Sequence, residues 1–287
     1  MSQTLPEIIK QCYRDKTGQR SRHLSRFIML ILLAESKTMS ANQLPVNEEE
    51  FRNNIPLLEP MADSIMDYFA GLTPADISAQ LGISMQLAIK AHGMAYDFPH
   101  KLTGYRALFG FTGEAYRSLD AKSLSQNAVN NAEKDLRIIS SVYGILRPQD
   151  IIKPYRCEFN KPLAADHKTA IQLFKPKVTT ALVNYIKENK IQDVVNLLPG
   201  EAEKLIDLKI IRAFSKVHKI CFQTVTDSGG LKTPITGRLK ELRGLMCRMI
   251  LEQGIDSFDQ LKRLDSDQFI FSPEDSKPLL PVFIASE

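Results

Sequence analysis

Little in this chain is arranged to hold a metal or to attack a substrate. Its four cysteines, Cys12, Cys157, Cys221 and Cys247, stand far apart with no CxxC or Cys/His spacing. That argues against a disulfide framework or a zinc site and fits a reducing, cytoplasmic setting in which isolated cysteines act as small buried hydrophobes. Five histidines (His23, His92, His100, His167, His218) make no HxH or HExxH pattern. There is no GxSxG elbow, no Walker A motif and no GxGxxG after a strand; Gly229-Gly230 alone is too short a signal. The sequence calls for no cofactor and offers no nucleophile with an evident partner. Its longest apolar run, Phe27 to Ala34, is eight residues, far short of a membrane span.

What is present begins with charge. The chain of 287 residues carries a net charge of +4, and residues 1–28 account for all of it, with six Lys/Arg against Glu7 and Asp15. This stretch lacks the apolar core of a secretory signal and reads as a basic arm, disordered or dispensable. Residues 29–287 balance 31 basic against 31 acidic groups, yet the two signs are segregated. Residues 136–177 hold eight basic and three acidic side chains, and 204–248 hold ten and three. If the fold joins these segments they form a cationic groove, the footprint of a nucleic-acid or polyphosphate site; otherwise they are solvated helix faces paired with the acidic segments.

The pattern along the chain is that of one mixed α/β domain over residues 29–287. Residues 28–33 read as a strand buried on both faces, followed by a polar loop in which Lys37 is a candidate anion contact. Residues 73–90 have the cadence of a helix-turn-helix with Gly82 at the turn. The apolar spacing favours a plain αα-hairpin that buries Ile77, Leu81, Ile83 and Leu87. Asn127 is expected to cap a helix running to about Ile139. Pro176 is expected to kink or divide a helix over about 168–188. Val194–Leu198 and Lys219–Thr226 read as strands, and Leu239–Leu251 as an amphipathic helix.

Residues 141–156 (SVYGILRPQDIIKPYR) concentrate the most chemistry. Two prolines fix φ, Gly144 permits a tight turn, and Arg147, Lys153 and Arg156 stand among Tyr143 and Tyr155. The segment reads as a helix end, a turn and an extended return, with arginine forks for phosphate and tyrosines as stacking faces. A proline-braced turn whose arginines satisfy Asp150 and Glu158 is the plain alternative. Glu158 is the best single candidate for a general base, although a charge partner for Arg156 is its more ordinary role.

Four blocks resemble the YaaA peroxide stress protein family: Met29–Thr38, Ile139–Asp150 continuing to Lys153–Arg156, Asn196-Leu197, and Arg243–Arg248. The resemblance covers about Met29 to Pro281. It implies a cytoplasmic DNA-binding protein of compact α/β fold with a basic cleft and a helix-hairpin-helix element. Such a protein limits DNA damage and free iron during peroxide stress. It further implies that Lys37, Arg147, Tyr155, Arg156, Lys204, Arg243 and Arg248 lie at the basic or cleft positions. Three departures stand out. The family's Ser-Pro-Ala-Lys-Thr loop is Ala34-Glu35-Ser36-Lys37-Thr38 here, which adds a carboxylate; Ser141 replaces a common glycine; and Leu198-Pro199-Gly200 diverges after Asn196-Leu197.

The residues and the resemblance together give a non-enzymatic binder of double-stranded or distorted DNA. Lys37, Arg147, Lys153, Arg156, Lys204, Lys240, Arg243 and Arg248 neutralise phosphates, and Tyr143 or Tyr155 stacks on an unpaired base. The alternative is an enzyme acting on a nucleotide or damaged nucleic acid, with the same cations clamping phosphate.

Overall fold

Strand β1 (Met29–Ala34) is the apolar run expected from the sequence, and every residue of it is buried. The structure, a computed structural model, describes residues 29–40, 48–100, 104–264 and 266–286; the basic arm over 1–28 lies outside them. After β1 come α1 (Glu48–Asn53), α2 (Glu59–Ala70), α3 (Pro74–Leu81) and α4 (Met85–Asp97). Next are β2 (Tyr105–Arg106), α5 (Ala107–Gly110), α6 (Glu114–Leu119) and α7 (Gln126–Asp135), which lead into β3 (Leu136–Ser140), β4 (Gly144–Leu146) and β5 (Ile151–Ile152). Helix α8 (Ala170–Glu188), β6 (Asp193–Asn196), α9 (Gly200–Glu203), α10 (Leu208–Ile211) and β7 (Lys216–Lys219) follow. The chain continues through β8 (Cys221–Val225), β9 (Leu231–Lys232), α11 (Thr236–Gln253) and α12 (Phe258–Leu261) to β10 (Phe269–Lys277) and β11 (Leu280–Ala285).

The central sheet has the order β4-β3-β1-β6-β7. Strands β3, β1, β6 and β7 are parallel, with Ile31 beside Leu136 on one side and Val195 on the other, and β4 runs antiparallel at the margin. All four parallel strands therefore end at one edge, the place where α/β sheets usually meet their ligands. A second sheet, β10-β11-β8-β9, and a two-stranded pair, β2-β5, complete the mixed α/β architecture. No helix among the described residues is long and apolar enough to cross a membrane.

Several expectations hold and several need correction. Residues 74–97 form the αα-hairpin, with Gly82 left-handed at φ 67°; Ile77 and Leu81 are buried as expected, whereas Ile83 and Leu87 are only partly buried. Helix α7 stops at Asp135 and is capped by the Ser125 hydroxyl rather than by Asn127. The next five residues, Leu-Arg-Ile-Ile-Ser, become a strand because they are wholly buried beside β1, where β-branched side chains fit. Residues 139–156 accordingly contain strands and turns, not a helix-hairpin-helix. Helix α8 runs unbroken through Pro176. Pro176 and Gln172, whose carbonyl loses its intrahelical donor there, are both exposed, so the break in the hydrogen-bond ladder lies on the solvent side of the helix. Lys219–Thr226 divides into the ends of β7 and β8, which belong to different sheets.

Candidate functional site

At the carboxyl edge, the loop after β1 is tied down from three directions. Glu35 N donates to Ile139 O at 2.9 Å, and the Ser36 hydroxyl accepts from Thr38 N at 3.1 Å and from Gly113 N at 2.8 Å. A side chain on Gly113 would lie 2.6 Å from Ser36 Oγ, so only glycine allows the start of α6 to approach this closely. The Tyr116 hydroxyl donates to Ala34 O at 3.1 Å. Lys37 is thereby presented on a fixed backbone, exposed, with Nζ 2.9 Å from Glu158 Oε1.

Residues 155–158 cross this loop in extended form, and their side chains alternate. Tyr155 and Cys157 turn inward and are buried. The Tyr155 hydroxyl donates to the Glu35 carboxylate and lies 2.8 Å from Ser140 Oγ. Arg156 and Glu158 turn toward Lys37: Arg156 Nη1 donates to Lys37 O at 3.2 Å, while its Nε is buried without a hydrogen-bond partner. Burial pushes the Glu35 carboxyl above the usual carboxylate range, against the opposing influence of Ser141, Tyr155 and Ser140. The Ser141 hydroxyl is fully buried and makes no hydrogen bond of good geometry. Ser140 Oγ also accepts from the backbone N of Val142 and Tyr143, which holds the turn into β4.

Helix α11 brings further cations. A Cβ on Gly244 would fall 1.9 Å from Ala115 O, and Arg248 Nη1 donates to Leu119 O at 2.9 Å and Asp120 O at 3.0 Å. Helices α11 and α6 thus run side by side in the same direction, 244 against 115 and 248 against 119. That register sets Arg243 level with the start of α6, where Gly113 is bonded to the Ser36 loop. Arg243 is partly buried, forms no hydrogen bond or ion pair with any described residue, and is held below its ordinary pKa by burial. An arginine in that state is short of an anion.

The structure separates the other expected site residues. Lys204 is exposed just beyond the end of β6, and Lys240 is exposed one turn before Arg243, so both belong to this edge. Arg248 is occupied by the carbonyls at the end of α6. Because β4 runs back from the edge, Arg147 emerges about 10 Å behind Ser140. There its guanidinium binds Asp150 at 2.6 and 2.7 Å. Lys153 is buried, 4.8 Å from the Phe98 ring and 5.5 Å from that of Phe51. Tyr143 and Tyr155 are 1% and 4% exposed, so neither ring offers a face to a base, contrary to the sequence reading. Glu158 pairs with Lys37 rather than with Arg156.

Comparison with known proteins now decides the relationship. The sequence profile of the peroxide stress protein YaaA family matches residues 29–275. The chain belongs to the YaaA family. Similar proteins include UPF0246 proteins of Shewanella pealeana, 29% identical over 90% of this chain and 100% of the relative, and of Shewanella loihica, 31% identical over 90% and 99%. Another, from Hahella chejuensis, is 30% identical over 85% of this chain and 94% of the relative.

Two departures from the YaaA pattern noted in the sequence meet in space, since Ser141 is one of the groups acting on Glu35. The sequence flagged both residues separately, but nothing in it joined a strand end at 35 to a turn at 141. Glu35 gives a prediction with a definite sign. A carboxyl whose pKa is raised on folding contributes its stability in full below the ordinary carboxylate range and loses it as pH rises through the raised value. Glu35→Gln should therefore match the unaltered protein in acid and become the more stable of the two toward neutral pH. Thermal midpoints across pH check this, and parallel profiles would contradict it.

Proposed function

We propose that this YaaA-family protein binds DNA through phosphate contacts at the carboxyl edge of its central sheet. Through that contact it limits DNA damage, and indirectly free iron, during peroxide stress. The observation that supports the reading most is Arg243, a partly buried guanidinium with no described protein partner, level with the loop that carries Lys37 and is crossed by Arg156. Lys204 and Lys240 extend the positive edge outward, as contacts that give affinity without sequence choice require. Direct thiol chemistry on peroxide by the described cysteines finds less support. Burial raises the pKa of Cys157, Cys221 and Cys247, the last to about 12, which leaves little reactive thiolate.

Fluorescence anisotropy with a labelled duplex tests the reading. Lys37→Ala and Arg156→Ala should each weaken binding severalfold, whereas Arg147→Ala should leave it unchanged. The Arg147 variant should lose about 2 kcal/mol of stability instead, because it leaves Asp150, 1% exposed, without its charge partner. Burial raises the Asp150 carboxyl to about 6 even with Arg147 bound, so removing the guanidinium strands a group already costly to ionise. Equal loss of affinity in all three variants would refute an interface confined to the carboxyl edge.

A second reading, an enzyme acting on a nucleotide or damaged nucleic acid, is favoured by one observation. Glu35, held toward its protonated form beside Tyr155, is a better acid-base candidate than Glu158, which is occupied by Lys37. Glu35→Gln would abolish turnover on this reading and would spare DNA affinity on the first.

A further inference from the structure

Four cations also surround a cleft at the opposite edge of the central sheet, where β6 and β7 begin. The cleft has a volume of about 520 Å³, within the range of roughly 300–1,000 Å³ usual for small-ligand sites. Its floor includes buried Ile191 and half-buried Phe214; its rim carries Lys187, Lys190, Arg212 and Lys216, all exposed, and no carboxylate lines it. Lys187 lies 5.7 Å over the Phe214 ring, and neither it nor Lys190 nor Arg212 forms an ion pair with a described carboxylate.

The plain account of these cations is that they answer the carbonyl ends of α8 and α10, both of which point here. A helix end carries about half a negative charge at most, so two helices offset roughly one of the four positive charges. About three remain. The backbone adds a second observation. Helix α8 closes with Ile191 N donating to Ile186 O at 3.0 Å and Lys190 N to Lys187 O at 3.4 Å. That pattern puts Lys190 at the left-handed position, φ 53°, where glycine is the usual residue. A side chain there costs stability that glycine would not, and Lys187 already serves the helix end. Lys190 thus holds its cation over the cleft from a backbone position that costs it stability.

We propose that this cleft binds a short polyphosphate chain, carried by a nucleoside triphosphate or free as tripolyphosphate. Arg212 supplies a planar fork for phosphate oxygens, the three lysines supply point charges along the chain, and Phe214 with the apolar floor accommodates a base where one is attached. The inference is independent of the DNA reading, since none of these residues lies at the carboxyl edge.

Calorimetric titration of the full chain at low salt with tripolyphosphate, ATP and AMP tests it. Tripolyphosphate and ATP should bind, with AMP at least tenfold weaker. Equal affinities assign recognition to the phosphate chain alone, and tighter ATP binding adds a base contact; both support the site. Arg212→Glu should weaken binding tenfold or more while Arg243→Leu leaves it intact. Lys190→Gly should raise the thermal midpoint by about 2 °C by relieving the left-handed residue, yet weaken binding about threefold. Absence of binding to the unaltered protein, or a Lys190→Gly variant that binds as tightly as the original, overturns the proposal.

Discussion

Arg243→Leu is expected to make the protein more stable and a poorer DNA binder at once. The guanidinium is partly buried, desolvation alone lowers its pKa, and no described protein group compensates it. An uncompensated polar group in such a position costs about 1–3 kcal/mol, so leucine, which keeps the apolar contacts of the arginine stem, should recover about 1 kcal/mol. A residue that destabilises its own fold requires a reason elsewhere, and a phosphate provides one. Loss of a desolvated, charge-assisted contact of this kind should reduce affinity at least tenfold. Thermal unfolding and duplex titration on the same preparation check both halves. A variant that loses stability and affinity together would mean that Arg243 supports the helix and does not meet the ligand.

The second large effect is expected at the neighbouring residue. Gly244→Val should cost about 3 kcal/mol or more, a fall of roughly 6 °C or more in the midpoint, because the new Cβ would meet Ala115 O at 1.9 Å and Ala115 C at 2.7 Å. Those atoms are backbone, held by α6, and α6 is in turn anchored to the Ser36 loop through Gly113. Relief requires α11 to move away, taking Arg243 with it. DNA affinity should therefore fall in Gly244→Val even though no charge is removed. Gly93, exposed on α4 with nothing within 4 Å of a built Cβ, is the control: Gly93→Ala should be neutral or slightly stabilising.

The fold was readable where hydrophobic period and burial agree. Residues 29–34 form a short apolar run, which in a parallel sheet is all that a central strand requires, and 239–251 carry an unbroken helical stripe. Leu136–Ile139 departs from the expected helix because the residues before it continue one helical pattern, and only pairing with β1 makes Leu136–Ser140 extended. The proposed carboxyl-edge site was readable only in part. Lys37, Arg156 and Arg243 are cations whose positions could be suspected from their sequence neighbours. Tyr155 stands beside Arg156 in the chain but on the other side of an extended segment, so it serves the core while Arg156 faces Lys37. Arg147 looked equivalent to Arg156 until the antiparallel return of β4 carried it away. The cleft at Lys187, Lys190, Arg212 and Lys216 was hidden because its cations come from two separate segments, the end of α8 and the turn from α10 into β7, which only the fold brings together.

The salt dependence of duplex affinity tests the central claim most directly. Each phosphate neutralised adds about 0.9 to the slope of log affinity against log salt concentration. If the carboxyl edge is the DNA interface, the unaltered protein should show a steep slope, and the Arg156→Ala, Arg243→Leu double variant a slope smaller by about 2. A double variant whose slope equals that of the unaltered protein, or an unaltered protein with a slope near zero, would contradict it.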